Sequence, residues 1–120
     1  SQLQQIVQTA DASGTIPVLT TIAPRTDGSV SADQLRAYNE AIIEIASMNN
    51  LPLFNVYRAL NELPSSGLEG NGATPSVSPS GAGDLSGSAV ANYGVNALNQ
   101  YALRTLSALR SAIFPDALVP

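Results

Sequence analysis

Two short apolar runs on either side of one amphipathic stretch constrain this chain more than any other feature. Residues 16–22 carry Ile16, Val18, Leu19 and Ile22 in a β-branched, nearly continuous apolar run. That is the pattern of a strand buried in a parallel sheet. Pro17 fits only near the start of such a strand, where a missing donor is tolerated. Residues 53–57, with Leu53, Phe54, Asn55, Val56 and Tyr57, predict a second short strand. Between the runs, Leu35, Tyr38, Ile42 and Ile45 recur at helical spacing up to about Met48. Ser31 followed by Gln34 has the form of a capping box. Asn49 and Asn50 end the helix and Pro52 forbids its continuation. A strand, a helix and a strand in this order imply parallel pairing through a right-handed crossover.

Helical periodicity recurs at both ends. Leu3, Ile6, Val7 and Ala10 predict the tail of an amphipathic helix that Gly14 closes, and its abrupt start implies further chain upstream. Ala59, Leu60 and Leu63 predict one short helical turn that stops at Pro64. Tyr93 and Gly94 lead into a last helix bearing Leu98, Ala102, Leu106, Leu109 and Ile113, ended by Pro115. Residues 64–88 differ in kind, because 16 of these 25 are Gly, Ser or Pro. A loop this long, running to about residue 95, is either a disordered linker or an ordered irregular loop at a functional edge. Leu68, Val77 and Leu85 are available to pin it, which favours the second. The whole chain, 1–120, reads as a single domain. Two parallel strands make a poor sheet, so an upstream half of the same fold or another copy of the chain is expected to supply the rest.

Charge narrows the function classes. Five scattered arginines, no lysine and a net charge of −4 leave no basic patch for a phosphate backbone, which excludes nucleic acid as a partner. With no cysteine there is no thiolate nucleophile, thiolate metal site or disulfide. No run of 18 apolar residues is present to span a membrane. The opening residues, Ser1, Gln2, Leu3, Gln4 and Gln5, lack the basic-then-apolar order of a signal peptide. A lysine-free composition rich in Ser, Thr, Asn and Gly suits the outside of a cell.

Several pieces, taken in order, resemble the C-terminal half of an SGNH (GDSL-like) hydrolase. Val18 to Arg25 resembles that family's fourth strand and the loop after it. Tyr38, Asn39 and Glu40, followed by Ile42, Ile43 and Ala46, resemble its next helix. Phe54, Asn55, Val56 and Tyr57 are similar to its fifth strand, in which an acidic residue often stands where Asn55 does. Leu68 to Ser76 resembles its last block, an Asp-Gly-x-His-Pro segment, and the helix from about Asn96 is similar to the one that closes the domain. The resemblance covers nearly all of the chain. It implies a partial flavodoxin-like three-layer α/β fold with short parallel strands and flanking helices. It also implies ester hydrolysis without a cofactor: a serine attacks, a histidine takes its proton and an aspartate orients the histidine.

This chain departs from that pattern where the chemistry lies. Asn71 stands at the aspartate place and Thr74 at the histidine place, and the chain has no histidine at all. An amide carries no charge to stabilise an imidazolium, and a hydroxyl is no general base near neutral pH. The family's serine, Gly and Asn blocks would lie upstream of residue 1. The resemblance therefore implies a catalytically degenerate domain with a binding or assembly role. Two alternatives are a subunit of an esterase whose serine lies on another segment, and a purely structural homo-oligomerising module.

No catalytic or metal-binding residue is assigned. The candidate ligand-binding residues are Arg25, Asn71, Thr74 and Tyr93, around a groove for a small-molecule ester or a glycan. Asp27 and Asp33 could hold a metal at the sheet edge, but Asp27-Gly28 is an ordinary turn and Asp33 favours a helix dipole. Arg25 is expected either to meet an anion or to pair with Asp27. Glu40 and Glu44 are expected to face solvent. The run from Gly70 to Gly81 lacks a phosphate-loop lysine. Tyr38 and Tyr101 fit helix packing faces, whereas Tyr57 and Tyr93 fit an edge.

Overall fold

The computed structural model describes residues 1–115. Its helices are α1 (Gln2–Ala12), α2 (Ala32–Met48), α3 (Val56–Asn61), α4 (Gly87–Val90) and α5 (Gly94–Ile113), with a 3-10 turn at Pro64–Gly67. Strands β1 (Leu19–Thr20) and β2 (Leu53–Phe54) pair in parallel, Leu19 opposite Leu53 and Thr20 opposite Phe54. The ladder extends one bond each way, from Leu19 N–H to the Pro52 carbonyl (3.1 Å) and from Thr21 N–H to the Phe54 carbonyl (3.2 Å).

Local chemistry sets these boundaries. The Ser31 hydroxyl accepts from the Gln34 N–H (3.1 Å) and the Gln34 side chain accepts from the Ser31 N–H (3.4 Å), so α2 starts on a reciprocal cap. It ends where Asn50 turns left-handed (φ 51) and the Leu51 N–H bonds the Ala46 carbonyl (2.8 Å). The second strand is shorter than residues 53–57. Asn55 leaves the sheet and caps α3, its Oδ1 accepting from the Arg58 N–H at 3.0 Å, so Val56 and Tyr57 are helical. The first strand is likewise shorter than residues 16–22, because β2 offers only two residues to pair with.

One core cluster joins Val7 of α1, Leu19 of β1 and Ile45 and Ala46 of α2, with Leu3, Ile42, Leu51 and Leu53 packed against it. Leu19 and Leu53 therefore face α1 and α2. Phe54, one residue on, points to the opposite face and stacks on Tyr101 of α5, ring centroids 4.9 Å apart and 13° from parallel. Helices thus lie on both faces of a small parallel sheet, a mixed α/β arrangement.

Three sequence expectations about packing fail. Tyr38 is 58% exposed, and the inward position on α2 belongs to Asn39. Ile6 is exposed while Val7 takes the buried place on α1. On α5, Leu106 and Ile113 are exposed together with Leu103 and Phe114. At 20 residues α5 is about 30 Å long, and it outruns the elements it touches, α3, α4, β2 and the 3-10 turn. The molecule as a whole is open. Its radius of gyration is 16.1 Å, against about 13.6 Å for a compact domain of this length.

Candidate functional site

The loop after β1 and the hairpin at residues 68–75 meet at the C-terminal side of the sheet. Leu68 and Pro75 form an antiparallel bridge, and the Glu69 N–H bonds the Thr74 carbonyl (2.7 Å). At the tip, the Gly72 carbonyl accepts from the Thr26 N–H (2.8 Å). Gly72 has φ +69, and a Cβ there would lie 2.5 Å from the Thr26 hydroxyl oxygen. Only glycine fits both the turn and this approach.

Asn71 and Thr74 close on each other within this hairpin. Asn71 Oδ1 accepts from the Ala73 and Thr74 N–H groups, each at 3.0 Å, and Asn71 Nδ2 donates to Thr74 Oγ1 at 2.8 Å. The asparagine thus acts as a turn-former bonding its own downstream backbone. Neither side chain is ionisable near neutral pH.

Arg25 and Asp27 form an ion pair at 2.5 Å, and Asp27 also accepts from the Ser29 N–H (3.1 Å) and hydroxyl (2.7 Å). The Arg25 guanidinium, and then Ser29, hold the Asp27 carboxyl well below the usual carboxylate range. Asp27 in turn raises the Arg25 guanidinium. Both groups are committed to each other at the surface.

Ser76 fastens the hairpin to α5. Its N–H and hydroxyl both donate to the Gly67 carbonyl (2.8 and 3.1 Å). Its own carbonyl accepts from the Val95 N–H (2.8 Å) and its hydroxyl oxygen from the Gly94 N–H (3.1 Å). Two otherwise orphaned N-terminal donors of α5 are satisfied this way. The backbones touch here, since a Cβ on Gly94 would lie 2.1 Å from the Gly67 oxygen.

Two amides of α5 hold the remainder of the Gly/Ser/Pro-rich segment, Asn99 Nδ2 donating to the Ala82 carbonyl (2.9 Å) and Asn96 making the larger set of bonds. Asn96, with no exposed surface, accepts from the Ser78 N–H (3.0 Å) and donates to the Gly81 and Asp84 carbonyls (2.9 Å each). Ser80 donates to the Asp84 carboxylate and the Ser86 N–H bonds it at 2.9 Å, which holds the Asp84 carboxyl below its ordinary value.

The structure brings the Arg25 loop beside Asn71 and Thr74 but sets Tyr93 apart. Tyr93 lines a cleft with Pro64, Ser78, Asp84, Ser88 and Asn92, and Arg25, Asn71 and Thr74 are not among its walls. Glu40 and Glu44 are exposed, Glu40 lying 3.9 Å from Arg36. Among the described residues no group of three or more acidic side chains is placed to hold a metal ion, and no helix is long and apolar enough to cross a membrane. Sequence reasoning missed Asn39 and Asn96, amides that read as polar surface positions of their helices and are buried in the structure. It also missed Thr21, a buried hydroxyl that donates to Asn55 Oδ1 (3.0 Å) and accepts from the Tyr57 N–H (2.9 Å). Compared with family models, curated proteins and solved structures, the chain matches none.

Proposed function

We propose that this chain is a non-catalytic SGNH-hydrolase-like domain, part of a flavodoxin-like α/β fold, that serves in binding or assembly rather than ester hydrolysis. One observation carries the reading. The positions that would hold the acid–base pair are an amide and a hydroxyl bonded to each other at 2.8 Å. Asn71 Oδ1 is spent on two backbone donors, and Thr74 Oγ1 has no proton affinity suited to a base near neutral pH. A serine brought by another polypeptide would meet no imidazole here, since the chain contains none. Short parallel strands with helices on both faces support the fold reading, and the open, apolar sheet edge supports assembly.

Hydrolysis of a short activated ester such as p-nitrophenyl acetate tests the proposal. The expected rate is that of buffer, unchanged by Thr74→Ala. Turnover above buffer that Thr74→Ala lowers would overturn it.

A further inference from the structure

We propose that the cleft beside Tyr93 binds a primary alkylammonium ion, with Asp84 as its counter-ion. The inference gives a ligand class to the binding role proposed above, and it uses neither Asn71 nor Thr74.

The cleft is built from one stretch of chain. Its volume is about 460 Å³, within the roughly 300–1,000 Å³ of ordinary ligand sites. Every wall residue lies between Pro64 and Tyr93. Ser76, Asn96 and Asn99 tie this stretch to α5, so the walls are set before a ligand arrives.

Asp84 decides the sign of the ligand. Its residue is half-buried, and a carboxylate withdrawn from water ordinarily has a charged partner. Among the described residues Asp84 has none. Arg25, Arg36 and Arg58 pair with other carboxylates, and no arginine lines the cleft. The donors to Asp84 are neutral: the Ser80 hydroxyl to Oδ2, and the Ser86 N–H to Oδ1 at 2.9 Å. Ser80 first, and then Ser86, hold the carboxyl below its ordinary value, so it stays charged. Each oxygen keeps a lone pair for a further donor.

The neighbouring polar groups are acceptors too. Asn92 commits its Nδ2 to the Ser88 carbonyl (2.7 Å), which leaves its Oδ1 without a hydrogen bond. The Tyr93 hydroxyl has no protein partner, and its ring offers a π face that attracts cations. An ammonium group is all donor and no acceptor. Its alkyl stem has Pro64 and Ala89 of the same cleft to lie against.

Other ligands fit less well. An anion would meet a carboxylate and no basic group. A neutral sugar brings acceptors as well as donors and leaves Asp84 without a counter-ion. A hard cation such as Ca²⁺ takes about 6–8 oxygen ligands, and among the described residues no group of three or more acidic side chains is placed to supply them.

The test is an amide NMR titration of the full chain with n-butylammonium chloride near neutral pH, against KCl at matched ionic strength. n-Butanol, of the same length without the charge, and methyl β-glucoside are titrated beside it. The expected result is saturable shifts at the amides of residues 84–93, with a dissociation constant on the order of millimolar, and none with the other solutes. Asp84→Asn, which keeps an oxygen for the Ser86 N–H, weakens binding roughly tenfold or more. Asn92→Ala, at an exposed position, weakens it severalfold and decides the matter if Asp84→Asn unfolds. Glu44→Gln, an exposed carboxylate on α2, leaves it unchanged. Absence of a saturable shift, equal shifts with KCl or n-butanol, binding of the glucoside instead, or affinity indifferent to these two cleft variants would each overturn the inference. A chain that neither binds the ammonium nor hydrolyses an ester leaves the non-catalytic reading standing. A chain that does both overturns that reading and leaves the cleft standing.

Discussion

Asn96→Ala should be among the most damaging single substitutions in the chain. The side chain is fully buried and makes three hydrogen bonds, to Ser78, Gly81 and Asp84. Each is worth about 1 kcal/mol net, and stranding the buried Ser78 N–H adds about 1–3 kcal/mol. Gly81 and Asp84 are half-buried, so water reaches their carbonyls and limits their share. The expected loss is about 3–5 kcal/mol, a large part of the stability of an ordinary domain. Asn96→Asp should be worse than Asn96→Ala near neutral pH. Its carboxylate still accepts from Ser78 but turns a second charged oxygen onto two carbonyl oxygens that repel it. Burial without a partner raises the folded-state pKa of that carboxyl above its unfolded value. The penalty is therefore largest above the folded pKa and shrinks as pH falls through it. Urea unfolding of the three proteins near neutral and at mildly acidic pH measures this, with amide exchange at Ser78 reporting the loop itself. A loss below about 1 kcal/mol for Asn96→Ala, or an Asn96→Asp protein no weaker than Asn96→Ala near neutral pH, would refute the reasoning.

Three further outcomes are expected. Gly72→Ala forces a Cβ toward Thr26 at φ +69; it should cost about 2 kcal/mol or more and raise amide exchange at Thr26, whose N–H bonds the Gly72 carbonyl. Asp27 has a depressed carboxyl, so its contribution is present above the unfolded value of about 3.9 and is lost as pH falls through the lower folded one; the Tm of Asp27→Asn should fall less steeply on acidification than that of the parent. Ser65 sits at φ 51 and ψ 31, a left-handed conformation costing an L-residue about 1 kcal/mol, so Ser65→Gly should raise stability by up to that amount in thermal unfolding.

The elements with a strong local signal were legible from sequence. The capping pair Ser31 and Gln34, the apolar spacing of α2 and the parallel pairing of the two runs follow from short-range chemistry, and the structure has all three. What stayed hidden depends on amides that change role with context. Asn55 reads as a strand residue until its side chain meets the Arg58 N–H, after which Val56 and Tyr57 belong to a helix. Asn39 and Asn96 look like polar surface positions, yet each is buried because it bonds backbone far away in sequence. Tyr38 lies on the apolar face of α2 by spacing, yet it is exposed and Asn39 occupies the inward place to reach Ile22. The long loop's composition does not reveal that Ser76 and Asn96 bind it to α5. Asn71 and Thr74 were singled out by resemblance, but their mutual bond is a tertiary fact that spacing does not contain.

Covalent labelling of the full chain with a fluorophosphonate probe, followed by mass spectrometry, tests the central claim most directly. Such a probe reacts with a serine only where a general base activates it. The account predicts no adduct on any serine, and no change with Asn71→Ala or Thr74→Ala. A stoichiometric adduct on one serine, abolished by Thr74→Ala, would contradict it.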